Sequence, residues 1–317
     1  MRASAITIVM YHYVRPIKNS SHPFIKGLEL DGFRRQLDYL GKRFNIIKAD
    51  TLIDHVKNQS ALPMDPCLLT FDDGYKDHYL YVLPELKKRG LFGCFFPPVK
   101  PVKEREILDV NKIHFILSEQ PNIQILLDDL KTFLTQLQCS SDLNANGLDA
   151  FEAYWREHAT PGRYDSKEII FIKRMLQHVL PSETRRRISN ILFQRYVSQD
   201  PEDFASQLYM SVDEVKELVR SGMYVGSHGY QHIWLDKETR ASQSREIDLS
   251  LEFLTEIGTP TKDWIMCYPY GGYNADTLDL LRTRSCCLGL TTTPGLAELR
   301  ENALLELSRF DTNDIPQ

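Results

Sequence analysis

An apolar run, Cys67-Leu68-Leu69-Thr70-Phe71, leads directly into Asp72-Asp73-Gly74-Tyr75. The run has the length and composition of a short buried strand, and the glycine marks the turn that ends it. Side chains alternate faces along a strand, but at its frayed end two neighbouring carboxylates can point into one cleft. Anions so close repel unless something separates their roles, such as a cation held by one of them. Taken alone, a solvated Asp-Asp-Gly turn explains the segment equally well.

Two later segments shift the balance. Gly226-Ser227-His228-Gly229-Tyr230-Gln231-His232 follows another short apolar run, Met223-Tyr224-Val225. Histidines at i and i+4 share one face of a helical turn and can grip one metal ion. With one carboxylate of the Asp pair they form a two-His-one-Asp set. Its open coordination positions mark catalysis, since structural zinc sites are closed by four protein ligands. The third segment, Cys267-Tyr268-Pro269-Tyr270-Gly271-Gly272-Tyr273, reads as a strand running into an aromatic, glycine-rich turn.

In the order T-F-D-D-G, S-H-x-x-x-H and Y-P-Y-G, the chain resembles the polysaccharide deacetylases, the NodB-homology or carbohydrate esterase 4 family, over roughly residues 1–100 and 211–317. The resemblance implies an α/β fold, a distorted (β/α)7 barrel of NodB type, with the motifs at the C-terminal ends of the strands, where barrel active sites lie. It implies a divalent metal on Asp73, His228 and His232, with zinc first and cobalt, nickel or manganese as alternatives. By the same resemblance Asp72 is the general base, the backbone N–H of Tyr75 helps hold the oxyanion, and Tyr270 and Tyr268 contact the sugar. The implied reaction is hydrolysis of an N-acyl amide: water acidified by the metal gives its proton to Asp72, and an acid protonates the departing amine.

The chain departs from the common family pattern in two places. No histidine follows His232, so the usual late L-x-H element that carries the acid is missing. At the other end, Ile6-Thr7-Ile8-Val9-Met10-Tyr11-His12 is a β-branched apolar strand ending in a histidine. It resembles the opening strand of the circularly permuted subgroup, which includes deacetylases of biofilm poly-N-acetylglucosamine, and the resemblance implies His12 as the general acid; a histidine satisfied at a strand end is the alternative. Cys267 stands where the family often has an arginine before the proline of the third motif. Arg309, in Leu307-Ser308-Arg309-Phe310-Asp311, resembles a late arginine of the permuted relatives and is read as an orienter of Asp72; a surface arginine is the alternative.

With 317 residues, 42% hydrophobic and 26% charged, the chain can build one large barrel or two domains. A net charge of -5 gives no basic field for nucleic acid. No stretch has the ~20 consecutive apolar residues that span a bilayer, and the apolar run from Ala3 to Met10 is too short for a signal h-region. The expected location is therefore cytoplasmic. Six cysteines without C-x-x-C spacing, Cys67, Cys94, Cys139, Cys267, Cys286 and Cys287, are read as free thiols.

Helical spacing covers Leu30–Leu40 and Tyr79–Arg89, the second stopped by Gly90 before an apolar strand over 91–96. Long helical periodicity then fills 112–137 and 167–197, punctuated by Pro161-Gly162 and Pro181. We read 101–210 as a mostly helical insertion, a cap or a packing element, within a barrel made of 1–100 and 211–317. Arg185-Arg186-Arg187 is a solvated helix face or a contact for a phosphate-bearing substrate. Ser211 is an N-cap for a helix over 212–220 that ends at Gly222. The expected function is N-deacetylation of an amino sugar, carried on a free sugar, sugar nucleotide, lipid-linked sugar or oligosaccharide. Sugar N-deformylation and hydrolysis of another amide are alternatives on the same scaffold. A non-catalytic carbohydrate-binding protein is the reading from a different class. Oligomeric state is open.

Overall fold

The computed structural model describes residues 5–138, 147–162 and 165–317. The chain forms two compact units: one from residues 1–17, Gly27–Glu106 and Ala205–Gln317, the other from Lys18–Lys26 and Ile107–Phe204. The second unit thus takes in a short stretch, Lys18–Lys26, far from the rest of it in sequence.

The strands of the first unit are β1 (Ala5–Tyr11), β2 (Val14–Arg15), β3 (Leu28–Glu29), β4 (Asn45–Ile46), β5 (Pro66–Asp72), β6 (Cys94–Phe96), β7 (Tyr224–Val225), β8 (Trp264–Cys267), β9 (Cys286–Leu290), β10 (Ala297–Glu298) and β11 (Phe310–Asp311). β11, β1, β5, β6 and β7 are parallel neighbours in that order. A parallel bridge from Ser227 to Met266 carries the sheet on to β8, and β8 pairs with β9. A second bridge, Leu290 to Leu307, leads back to β11 and closes the ring. The result is the expected distorted barrel: parallel throughout, but joined at two points by single bridges. β10 lies antiparallel to the start of β1.

Parallel strands covered on both faces read as continuous apolar runs, and β5 is buried at every position. Alternation separates two cores. Ile6, Ile8, Leu68, Cys94, Phe96, Ile265, Cys267, Leu288 and Leu307 pack together inside the ring. Val9, Tyr11, Cys67, Leu69, Phe71 and Phe95 face outward onto helices that contribute Phe33, Leu37, Leu40, Leu86 and Leu218. The helix read from Leu30 runs to Arg43, and the one read from Tyr79 begins as a π turn, His78–Val82, before Leu83–Arg89. Gly90, at φ 65°, ends it, and the strand read over 91–96 is confined to Cys94–Phe96. Ser211 caps Val212–Arg220 through a reciprocal box with Glu214.

The second unit is helical. Asp109–Glu119, Ile123–Gln138, Gly147–His158, Lys167–Arg174 and Ser182–Tyr196 surround buried Phe115, Leu130, Leu134, Phe171 and Leu192. Asp165 joins Lys26 and Lys173, each at 2.6 Å. Among the described residues no helix is long and apolar enough to cross a membrane. Cys67, Cys94, Cys267, Cys286 and Cys287 are free thiols; Cys139 lies outside the described residues.

Candidate active site

Strand parity places the first carboxylate. On β5, Leu68 faces the barrel interior, so Thr70 and Asp72 share its inner face. The same alternation on β1 carries the inner face from Ile6 and Ile8 to His12, just past the strand end. By parity Asp73 would point away, but its φ of 71° puts it in the left-handed region and reverses the turn. Gly74 follows at φ 68°, where an added Cβ would also lie 2.8 Å from Pro97 Cβ, so glycine is required twice over.

The Asp73 carboxylate meets both histidines. Its Oδ1 lies 3.3 Å from His228 Nε2 and 3.2 Å from His232 Nε2. Its Oδ2 accepts from the Tyr75 hydroxyl at 2.6 Å. All three ligand candidates are buried, at 4%, 2% and 7% exposure. The expected helical turn is not what gathers the pair, however. Residues 226–234 form an irregular loop with Gly229 at φ 71° and His232 at φ 57°. Glu246 holds that loop by accepting from the backbone N–H of Tyr230 and Gln231 at 2.9 and 2.8 Å. A carboxylate can satisfy two backbone donors that no helix satisfies, so side-chain chemistry replaces the helical ladder here.

The arrangement fits a divalent cation. Ligand bonds of ~2.0–2.1 Å at tetrahedral angles separate two donor atoms by about 3.3 Å, close to the observed Asp73–histidine spacings. Asp73 Oδ1 is buried and has no hydrogen-bond partner among the described residues. His228 Nδ1 donates to the Cys267 carbonyl at 2.7 Å, which leaves Nε2 as the ligand-competent nitrogen. The electrostatics agree at Asp73 and His232; at His228 burial lowers the imidazole but Cys267 and Asp73 raise it well above its usual value, so that group gives up a proton on taking a cation. Burial pushes the Asp73 carboxyl up, but the His232 and His228 imidazoles beside it outweigh this and hold the group well below its ordinary value. Burial likewise keeps the His232 imidazole below its usual value, favouring the neutral form a ligand needs.

Asp72 is held differently. Arg309, 1% exposed, places Nη2 2.8 Å from Oδ2 and Nη1 3.0 Å from Oδ1. Its Nε donates to the Thr291 carbonyl at 2.7 Å, and Nη1 also reaches Thr70 Oγ1 at 3.1 Å. Burial raises the Asp72 carboxyl, and Arg309, His228 and His12 more than reverse this, keeping it ionised. The Cys267 thiol lies 3.4 Å from Asp72 Oδ2. The surface-arginine alternative for Arg309 is thereby excluded by its burial.

Tyr270, half-buried at φ 56°, stacks on Trp234 with centroids 4.6 Å apart and an interplanar angle of 2°. It also meets His232 edge-on at 4.6 Å. Tyr268 is a correction. It is fully buried, its hydroxyl donates to the Leu305 carbonyl at 2.8 Å, and its ring packs on Tyr273, so it belongs to the core rather than to a sugar cleft. Strand parity was the available signal: one residue past Cys267, which faces inward, Tyr268 faces outward. Sequence reasoning missed Trp234, Glu246 and His78. The first two lie within one loop and its supporting helix, and no motif carries them.

Comparisons with known proteins point to the same family. Residues 192–285 match the polysaccharide deacetylase family model, a stretch that holds the histidine pair and Y-P-Y-G but not the Asp pair. YxkH of Bacillus subtilis (strain 168), whose name assigns it to the polysaccharide deacetylases, is 28% identical over 101 residues, 32% of this chain and 36% of that protein. The chain thus spans about a third of the curated relative it matches. The Streptococcus pyogenes deacetylase PplD in complex with acetate superposes with a TM-score of 0.56 at 18% identity, covering 97% of this chain and 92% of that one. IcaB from Ammonifex degensii gives 0.54 at 18%, covering 98% and 92%. The BpsB deacetylase domain from Bordetella bronchiseptica gives 0.53 at 16%, covering 97% and 96%. The fold is therefore the NodB-type deacetylase barrel. With the matched family model, the resemblance to the polysaccharide deacetylases first read from three short motifs is borne out.

Proposed function

We propose that this protein is a metal-dependent N-deacetylase that hydrolyses the N-acyl group, acetyl in the first place, of an amino sugar. One observation carries the reading: the two adjacent carboxylates have opposite partners. Asp73 faces two imidazoles at ligand spacing, and Asp72 faces a buried guanidinium. A pure binding protein has no use for a buried, ionised carboxylate beside a metal set.

Asp73, His228 and His232 would hold the cation, which supplies Lewis-acid polarisation of the acyl carbonyl and acidifies the attacking water. Asp72 accepts the proton of that water, and Arg309 keeps its carboxylate ionised and fixed in rotation. The Tyr75 backbone N–H assists at the oxyanion. His12, whose charge acts on both Asp72 and Asp73, protonates the departing amine. Tyr270 and Trp234 offer an aromatic face to the apolar side of a sugar ring. In this reading β1, seated between β11 and β5, supplies from the N-terminus the acid that other family members carry late, as a circular permutation would.

The test is elemental analysis of the purified protein with acetate and formate release from N-acetylated sugar nucleotides and chito-oligosaccharides. Metal with acetate supports the deacetylase, and metal with formate from N-formylated sugars moves the reading to deformylation. Asp72→Asn should retain metal and lose turnover. Protein that takes up no metal after reconstitution sinks the mechanism.

A further inference from the structure

The segment after the Asp pair does more than turn the chain. His78, fully buried, has Nε2 2.9 Å from the carbonyl oxygen of His12. A carbonyl only accepts, so His78 is the Nε2–H tautomer and donates. Its Nδ1 is buried without a partner among the described residues, against the rings of Phe71, Tyr75 and Phe95. Burial among those rings pushes the imidazole down to about 4, so the group stays neutral wherever the enzyme would work.

The contact is one of a series. The Tyr13 ring stacks on Tyr75 with centroids 4.1 Å apart, and Arg15 Nε lies 2.7 Å from Asp77 Oδ2. Asp77 also accepts from the Val14 backbone. Four successive residues past β1 are thus fastened, one by one, to residues 75–78. The fastening residues open into a π turn, His78–Val82, in which the His78 carbonyl accepts from Leu83 N–H. Such turns insert one residue and re-aim the side chains before them.

We propose that His78, through its Nε2–H bond to the His12 carbonyl, is the positioning residue that sets the His12 imidazole beside Asp72 and Asp73. The bond acts on the peptide unit immediately after the His12 Cα, so it fixes backbone direction at the residue that must aim its ring. This inference rests on His12 being the general acid, and the experiment separates the two.

The variants are His78→Met, which keeps bulk and removes the donor, His78→Gln, whose Nε2 can replace it, and His12→Ala. Each is assayed as full-length protein on penta-N-acetylchitopentaose and on p-nitrophenyl acetate, whose leaving group departs without protonation. Metal content is measured in parallel. Hydrogen exchange of the peptide spanning residues 11–16 is followed in metal-free protein. His12→Ala should lose amide hydrolysis and keep ester hydrolysis. His78→Met should lower kcat on the amide about 10–100-fold, with ester hydrolysis, KM and metal content unchanged. It should also speed exchange of that peptide, and His78→Gln should restore both. If His12→Ala leaves amide turnover intact, the acid assignment fails and the proposal with it. If His12→Ala is impaired but His78→Met is not, and exchange is unchanged, His12 stands as acid and the positioning role of His78 is overturned. Loss of amide and ester hydrolysis together, loss of metal, or a Gln variant no better than Met would show a merely structural histidine and also overturn it.

Discussion

Replacing Arg309 by Met isolates the ion pair at the barrel centre. Methionine fills most of the arginine's volume with a flexible apolar chain, so the change removes charge more than bulk. Asp72, 1% exposed, is left with the Cys267 thiol at 3.4 Å as its remaining side-chain neighbour in hydrogen-bond reach among the described residues. Removing one partner of a buried pair costs about 3–5 kcal/mol. The Thr291 carbonyl, which accepts from Arg309 Nε at 2.7 Å, loses that donor for roughly 1 kcal/mol more. A total of about 4–6 kcal/mol, at roughly 2–4 °C per kcal/mol, lowers Tm by about 8–24 °C. Most of this is the unpaired charge of Asp72, so the same substitution in an Asp72→Asn background should cost only about 1–2 kcal/mol. Arg309→Lys keeps the charge without the fork and should fall between. Thermal and denaturant unfolding followed by circular dichroism reads all four. If Arg309→Met unfolds within 1 kcal/mol of wild type, or costs as much without the Asp72 charge as with it, the pair is not what holds the site, and the reasoning fails.

His228→Ala should bring metal stoichiometry in elemental analysis close to zero while the far-ultraviolet spectrum stays native, because one of three ligands and the bond to the Cys267 carbonyl are lost together. Gly226→Ala should destabilise by roughly 1–3 kcal/mol, read as a lower denaturant midpoint, since a Cβ there would lie 2.6 Å from Phe96 Cε1 and 2.7 Å from the Ile265 carbonyl. In the helical unit, burial raises the Asp165 carboxyl but Lys173 and Lys26 draw it below its ordinary value. Its stabilising contribution is then present above the unfolded pKa of about 3.9 and is lost as pH falls through the folded one. Asp165→Asn should therefore be less stable than wild type near neutrality and indistinguishable from it under strong acid, and a difference that persists in acid would refute the pairing.

The strands that carry the motifs were legible because their physics is local. A strand buried on both faces has to be apolar throughout, as Cys67–Phe71 is, and a glycine is the cheapest way to turn at its end. Ser211 with Glu214 and Gly90 after Arg89 are likewise decided by neighbours in sequence. The histidine pair was found from its spacing but for the wrong geometric reason. The i, i+4 rule assumes a helix, and the loop owes its shape to Glu246, fifteen residues beyond Gln231, whose carboxylate no local pattern marks. Tyr268 was assigned to the sugar by its place in the Y-P-Y-G motif, but alternation after Cys267 turns it outward, and Tyr270 reaches the site only because the chain has left the strand there at φ 56°.

The placement of Arg309 goes furthest in separating what a sequence can and cannot say. A motif records which residue stands at a position, but a buried carboxylate requires only that a cation reach it, from any strand on the same inner face. In this barrel β8 offers Cys267 to Asp72, and the cation arrives from the stretch beside β11, which closes the ring next to β1. The neighbour relation that makes the substitution workable is between segments more than 230 residues apart, since Arg309 and Asp72 are separated by 237 positions. Strand order is what brings them together, and a Cys267→Arg change made alone would put a second buried guanidinium beside the first. Such a variant should be less stable than wild type and should recover when Arg309 is changed to Met in the same chain. If the double variant is no better than the single one, the cation is tied to its strand, and the argument from shared inner face is wrong.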